Sequence, residues 1–144
     1  MRLTLHTDYA LRVLIYLAAH PAETVSAQAV AESYGISTHH VASVAKKLVR
    51  EGLVEGIRGS HGGLRLARNA TRTRVGDVVR KFEPDLDLVQ CFGPNDTCPI
   101  SPACELADTL MRARSAFLAV LDATTIGDLA VNGPRLVRLL TRHA

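Results

Sequence analysis

Cys91, Cys98 and Cys104 are the only cysteines of this 144-residue chain, and all three fall within one short stretch, QCFGPNDTCPISPAC. Three thiols cannot all pair with one another, and thiols grouped so closely are metal ligands or redox groups more often than structural disulfides in a reducing compartment. Their C-x6-C-x5-C spacing is neither the paired C-x2-C of a zinc ribbon nor the tight repeat of a bacterial ferredoxin. A wider spacing suits a larger object, and a loop stiffened by Pro94, Pro99 and Pro102 can bring three thiolates to three irons of a cubane cluster. Zinc and iron-sulfur both remain open on spacing alone. A four-iron object would still lack one ligand, for which Asp96 and Glu105 nearby, or His6 and Asp8 near the start of the chain, are the candidate donors. Asp8 also has a plain structural reading, as a carboxylate in the first turn of a helix facing the positive end of its dipole.

A second group of residues has the chemistry of nucleic-acid contact. A short helix is predicted from Ser26, carrying Val30 and Ala31 inward and stopping at Gly35, with Ile36 plugging the turn. Ser37 then caps a helix whose Val41, Val44, Ala45 and Leu48 repeat at i, i+3, i+4 and i+7, the apolar stripe of an amphipathic helix. In a helix-turn-helix the N-terminal part of the second helix meets base edges. Thr38, His39, His40 and Ser43 are therefore expected nearest the bases, with the capping Ser37 beside them in the DNA-binding set. Lys46, Lys47 and Arg50, farther along, suit phosphates, where they add affinity without sequence information. After Gly52 the pattern LVEGIR, GSHGG, LRLA reads as a β-hairpin wing flanked by Arg58 and His61. Its glycines at 59, 62 and 63 allow close approach to a phosphate or a minor groove.

These groups need elements to hold them. From Thr7, taken as N-cap, Leu11, Leu14, Ile15 and Ala18 mark a first helix with Pro21 beyond its end. Val75, Val78, Val79 and Phe82 mark a short amphipathic helix ended by Pro84. Leu106, Leu110, Ala113, Phe117 and Leu121 alternate spacings of four and three, the seam a long helix uses against a partner helix, which predicts a homodimer. Thr125 and Asp128 have capping-box spacing, and Pro134 opens a last helix through Leu140. The expected organisation is a winged helix-turn-helix DNA-binding domain over 1–83, a cluster-binding loop over 84–104, a dimerisation helix over 105–124, and C-terminal helices over 125–144 packing back on the DNA-binding domain. The fold class is mainly α with a small β-hairpin wing.

Bulk properties agree with that plan. With 47% apolar residues, 22% charged and no Trp, the chain is neither disordered nor built on aromatics; its core is Leu, Val and Ala. Residues 1–68 carry eight Lys/Arg against five Asp/Glu, and residues 69–144 carry nine of each. The positive excess is thus confined to the half expected to meet DNA. The apolar run from Val13 to Ala19 falls far short of the roughly 20 residues a membrane span needs. The N-terminus lacks the features of a signal peptide, so a cytoplasmic protein is expected. No glycine-rich phosphate loop or paired acid-base motif argues for an enzyme. An iron-sulfur electron-transfer module, docking through its basic helix face, is the alternative from another class.

The segments LTLHTDYALRVLIYLA, RGSHGGLRLA, VGDVVRKFEP and CPISPACEL together resemble the iron-sulfur winged-helix transcription regulators, over nearly the whole chain. The resemblance implies a homodimer with crossing long helices and a cluster loop near the DNA-binding domain of the other subunit. It implies cluster ligands at Cys91, Cys98 and Cys104, with Asp8 of the partner subunit as a fourth. An Asp at position 8 is similar to the nitric-oxide-sensing repressors of the family, where the iron-responsive type tends to carry Asn. Glu105, Leu106 and Ala107 stand after the third cysteine, where the cluster-assembly regulator has a His. The implied cofactor is an iron-sulfur cluster of the 4Fe-4S type, with 2Fe-2S as the alternative, and the implied partner is double-stranded operator DNA. The implied function is repression relieved by nitric oxide; an iron- or redox-responsive repressor is the variant reading.

Overall fold

The computed structural model of the chain describes residues 2–21 and 23–141; the last three residues of the expected C-terminal segment, 142–144, lie outside the described residues. The first helix, α1 (Leu5–Ala19), is the axis of the molecule and packs against elements from both ends of the chain. Its cap is Thr4 rather than Thr7: the Thr4 hydroxyl accepts the Thr7 N–H at 3.3 Å, while Thr7 is buried inside the first turn. Both residues offer a capping hydroxyl. Thr4 wins because Glu83, far along the sequence, accepts its N–H at 2.9 Å and its hydroxyl at 3.1 Å, and so fixes the chain entry.

Helices α2 (Ala27–Tyr34) and α3 (Thr38–Arg50) form the expected helix-turn-helix, capped by Ser26 and Ser37. Gly35 sits between them at φ 62°, a left-handed turn that costs glycine no steric strain. Ala10, Val13, Leu14 and Leu17 of α1, Val30 and Ala31 of α2, and Val41, Val44 and Leu48 of α3 make one apolar core. Fully burying each of the Val and Leu side chains among them contributes about 1.5–3 kcal/mol.

The wing is an antiparallel pair, β1 (Val54–Ile57) and β2 (Gly63–Leu66), in register from Val54 opposite Leu66 to Ile57 opposite Gly63. Val25, just before α2, pairs with Leu64 on the outer edge through N–H···O bonds of 2.9 and 2.7 Å. A Cβ on Gly63 would stand 2.6 Å from the Val25 carbonyl oxygen, so the sheet edge itself requires a glycine here. Gly59, at φ 110°, turns the hairpin.

Helix α4 (Val75–Phe82) closes the core with Val75, Val78, Val79 and Phe82. The long helix α5 (Glu105–Asp122) follows the cysteine segment and has no buried residue. Short α6 (Ile126–Leu129), with the capping box of Thr125 and Asp128, and α7 (Gly133–Leu140), with Pro134 in its first turn, return to α1. Ile126, fully buried, pins this return, and backbone bonds from Val75 N–H to Thr124 O and from Ile126 N–H to Thr73 O stitch it to the base of α4. Among the described residues no helix is long and apolar enough to cross a membrane.

The junction of α4 and α5 is tight. Arg80 grips Asp122 with two charge-assisted bonds of 2.7 and 2.6 Å, and a Cβ on Gly76 would overlap the Asp122 carboxylate. Gly76→Ala should therefore lower stability, since the overlap costs about 1–3 kcal/mol and exceeds the helix-propensity gain of about 1 kcal/mol. Thermal melts in an Asp122→Ala background check the cause. There the same Gly76→Ala change is expected to be neutral or stabilising, and an equal loss in both backgrounds would refute the clash.

Candidate DNA interface and thiol loop

Recognition by α3 depends on which of its faces the core leaves free. With Val41, Val44, Ala45 and Leu48 buried, Ser37, Thr38, His39, His40, Ser43, Lys46 and Arg50 are all exposed, as are Arg58 and His61 at the wing tip. The Ser37 hydroxyl is occupied by the His40 N–H at 3.3 Å, which holds the first turn of α3 in place. His40 leans on Tyr9 of α1, ring centroids 5.8 Å apart, whereas His39 meets only the edge of His40, at 6.1 Å.

Lys47 differs from the phosphate-facing role expected of it. It is half-buried, and its ammonium lies 4.5 Å from the centre of the Phe82 ring, on α4. Its charge is held by a cation–π contact to the protein's own core edge. His6 of α1 stacks on the same ring at 5.5 Å. Burial, and secondarily the nearby Lys47 charge, push the His6 pKa below the ordinary histidine value.

Four consecutive residues at the end of α4 thus reach three other helices, α1, α3 and α5. Arg80 holds Asp122 of α5, and Lys81 holds Glu51 at the C-cap of α3 at 2.6 Å. Phe82 carries Lys47 of α3 and His6 of α1, and Glu83 holds Thr4. The Asp122 and Glu51 carboxyls are both held below the usual range, chiefly by the hydrogen bonds from Arg80 and Lys81. Sequence reasoning marked Phe82 as core and passed over its neighbours; three charged residues, Arg80, Lys81 and Glu83, around Phe82 at the end of a strongly amphipathic helix were the available signal.

The three thiols are free. Cys91 lies in a short 3-10 turn, Gln90–Phe92, and Cys104 closes another, Ser101–Ala103; both are half-buried, and Cys98 is exposed. No residue between 90 and 104 is buried, so the loop has no commitment to the core and can rearrange at low cost. Among the described residues no three His, Cys, Asp or Glu side chains converge as a bound metal ion requires. By chemistry the donors suit an iron-sulfur cluster: three unpaired thiols on one loop without a buried residue, one ligand short of four.

The candidates for that fourth ligand are differently engaged. The Asp96 carboxylate accepts the Cys98 N–H at 2.9 Å; this bond, with the Ser101 hydroxyl close by though not well aligned to it, holds its pKa low. His6 is packed on Phe82, and Glu105 is exposed in the first turn of α5. Asp8 is paired with Arg12 one turn on, at 2.9 Å, both partly exposed, and the Arg12 guanidinium in turn lies 5.7 Å from the Tyr34 ring centre.

Residues 3–132 match the Rrf2 family, described as "Iron-dependent Transcriptional regulator". The chain belongs to the Rrf2 family of transcriptional regulators. It is 46% identical over 142 residues to the HTH-type transcriptional regulator NsrR of Bacillus subtilis, covering 97% of each chain. It is 42% identical to the protein of the same name from Shouchella clausii, covering 97% of this chain and 95% of that one. Among solved structures it is similar to CymR, the global cysteine regulator of B. subtilis, with a TM-score of 0.74, 28% identity, and coverage of 90% and 96%. The mainly helical, winged fold of the Rrf2 regulators is thus the fold found here. These relatives are transcriptional regulators, which sets aside the enzyme and electron-carrier readings.

For an Rrf2-family regulator the free face of α3 yields a direct prediction. Lys46→Ala should weaken binding to operator and random duplex alike and lower the salt slope by about 1. His39→Ala should instead change base preference, at a cost of about 1–3 kcal/mol at the affected position. Fluorescence anisotropy across a salt series, on operator and scrambled DNA, separates the two. Equal losses on both duplexes for His39→Ala would remove it from base readout.

Proposed function

We propose that this Rrf2-family chain is a cytoplasmic homodimeric repressor that binds double-stranded operator DNA and releases it in response to nitric oxide. In this reading an iron-sulfur cluster, of the 4Fe-4S type, is held by Cys91, Cys98 and Cys104, with Asp8 of the partner subunit as the fourth ligand. The observation that carries the reading is the position of the free thiols: they sit on a loop without core contacts that runs directly into α5. The NsrR name of relatives matched over almost the whole chain supports nitric oxide as the signal. When bound, the cluster supplies iron that reacts with nitric oxide, and a carboxylate ligand, harder than thiolate, leaves one corner the more open to attack.

The chain's own residues then set the distance between two recognition helices, which must match the half-site spacing of the operator. α5 is suited to join the subunits, because Leu106 and Val120, at 63% and 68% exposed, lie with Ala113 on one outward line at heptad spacing. Of the other residues of the expected seam, Leu110, Phe117 and Leu121 are half-buried, and Leu121 packs on the chain's own core near the Arg80–Asp122 pair. Through Asp122, Arg80 and Lys81, any rotation of α5 reaches Glu51 at the end of α3. A second link between subunits, from the thiol loop to α1, narrows the allowed spacing; without it α5 alone does not hold the operator geometry.

The test is anaerobic purification with native mass spectrometry of the dimer, followed by a gel shift on the chain's own promoter region under nitric oxide titration. A cluster-bearing dimer that leaves DNA as nitric oxide is added is the expected result. The description of the family as iron-dependent favours one rival. Release on iron depletion, with indifference to nitric oxide, would establish the iron-responsive reading instead.

A further inference from the structure

The base of the thiol loop is held by a side chain outside it. Arg114 stands on the inner face of α5 and is half-buried. Its guanidinium carbon lies 4.9 Å from the centre of the Phe92 ring. One of its nitrogens is 3.3 Å from a carboxylate oxygen of Asp87 and 3.5 Å from the Leu86 carbonyl oxygen. Asp87 and Phe92 flank the start of the 3-10 turn that contains Cys91, and Phe92 is its immediate neighbour. A planar guanidinium can stack on a ring and donate in its own plane at once, which a lysine ammonium cannot do. One side chain of α5 therefore grips the approach to Cys91 on both sides. Cys98 has no such tether to another element: its segment is ordered by local bonds, the Cys98 N–H donating to Asp96 at 2.9 Å and the Cys98 carbonyl accepting the Ser101 N–H at 3.2 Å.

We infer that Arg114 is a positioning residue for the Cys91 thiol, fixing the first of the three thiols to α5 before any cluster is present, while Cys98 stays free to close on it. The consequence for signalling rests on the function proposed above: Cys104 joins α5 directly as its N-cap, and Arg114 ties the Cys91 end of the loop to the same helix, so a change in the loop is felt by α5 at Arg114 as well. The two side chains of the Arg114–Asp87 pair are 29% and 32% exposed, so salt screens the contact less than it would a fully exposed pair.

The experiment uses the full chain, metal-free, in two single-thiol forms: Cys98→Ser/Cys104→Ser, which keeps Cys91, and Cys91→Ser/Cys104→Ser, which keeps Cys98. Iodoacetamide alkylation is followed by mass spectrometry. Arg114→Ala should speed alkylation of Cys91 by about fivefold or more, the factor expected when a local contact of this size is lost, and leave Cys98 unchanged. Arg114→Lys, which keeps the ion pair with Asp87 but not the planar stack, should fall between. An unchanged Cys91 rate in Arg114→Ala would overturn the inference, as would an equal rise at Cys98, which would mean general loosening. Separate reconstitution of the unaltered protein with iron and sulfide tests the cluster itself. Failure there would sink the proposed function, while the alkylation rates still decide the role of Arg114.

Discussion

Cys98→Ala is expected to abolish cluster loading and, with it, nitric-oxide-sensitive retention on the operator, while leaving the fold intact. The side chain is exposed and the loop holds no buried residue, so its removal leaves no cavity and should change the melting temperature of the metal-free protein little. Its chemical cost is of another order. Groups that merely support a metal ligand account for about 10–100-fold in affinity, and deleting a ligand from a set of three thiols should exceed about 100-fold. Cys91→Ala and Cys104→Ala should behave alike in loading, although both are half-buried and each should cost some stability as well. Iron and sulfide analysis after anaerobic reconstitution, together with gel shifts, reads both quantities. Operator binding that persists and still yields to nitric oxide in Cys98→Ala would remove the thiols from the sensing path.

The helix-turn-helix and wing could be read from the sequence because their signals are local. Ser26, Gly35 and Ser37 mark ends whose geometry depends on neighbouring residues only, and the Val41–Leu48 stripe has a period that no distant contact alters. Where the reading slipped, a long-range partner had decided. Thr4 and Thr7 are equivalent caps until Glu83 is brought to Thr4. The expected α5 seam divides between exposed Leu106 and Ala113 and half-buried Leu110, Phe117 and Leu121, a split that depends on where α4 packs with Arg80 on Asp122 and that spacing alone does not carry. Lys47 looks like a solvated cation until Phe82 is placed beneath it. The thiol loop is the opposite case: residue type and spacing announce its chemistry, yet its lack of periodicity leaves its path to contacts such as Arg114 with Phe92, which no local pattern foretells.

Phe82→Ala should be among the most damaging single substitutions in the chain, costing about 3–5 kcal/mol. The ring is only 4% exposed, closes the core under α1 and α3, and has Lys47 and His6 on its surface. A variant so unstable says little about function, so the informative change is Phe82→Leu. It keeps most of the apolar volume and should cost less than about 1.5 kcal/mol, but it removes the π-face. Two effects should follow. The stability lost on Lys47→Ala, of which about 0.5–1 kcal/mol belongs to the cation–π contact, should shrink by that amount in the Phe82→Leu background, as a double-mutant cycle of urea unfolding measures. Operator affinity should fall more than affinity for random duplex, because α3 loses one of its two ties to α4 and keeps only the Lys81–Glu51 pair. Base contacts depend on the orientation of α3, whereas phosphate contacts tolerate more movement. A coupling near zero would mean that Lys47 rests on the ring without being held by it. Equal losses on both duplexes would mean that α4 contributes stability alone and does not carry the orientation of α5 to the recognition helix.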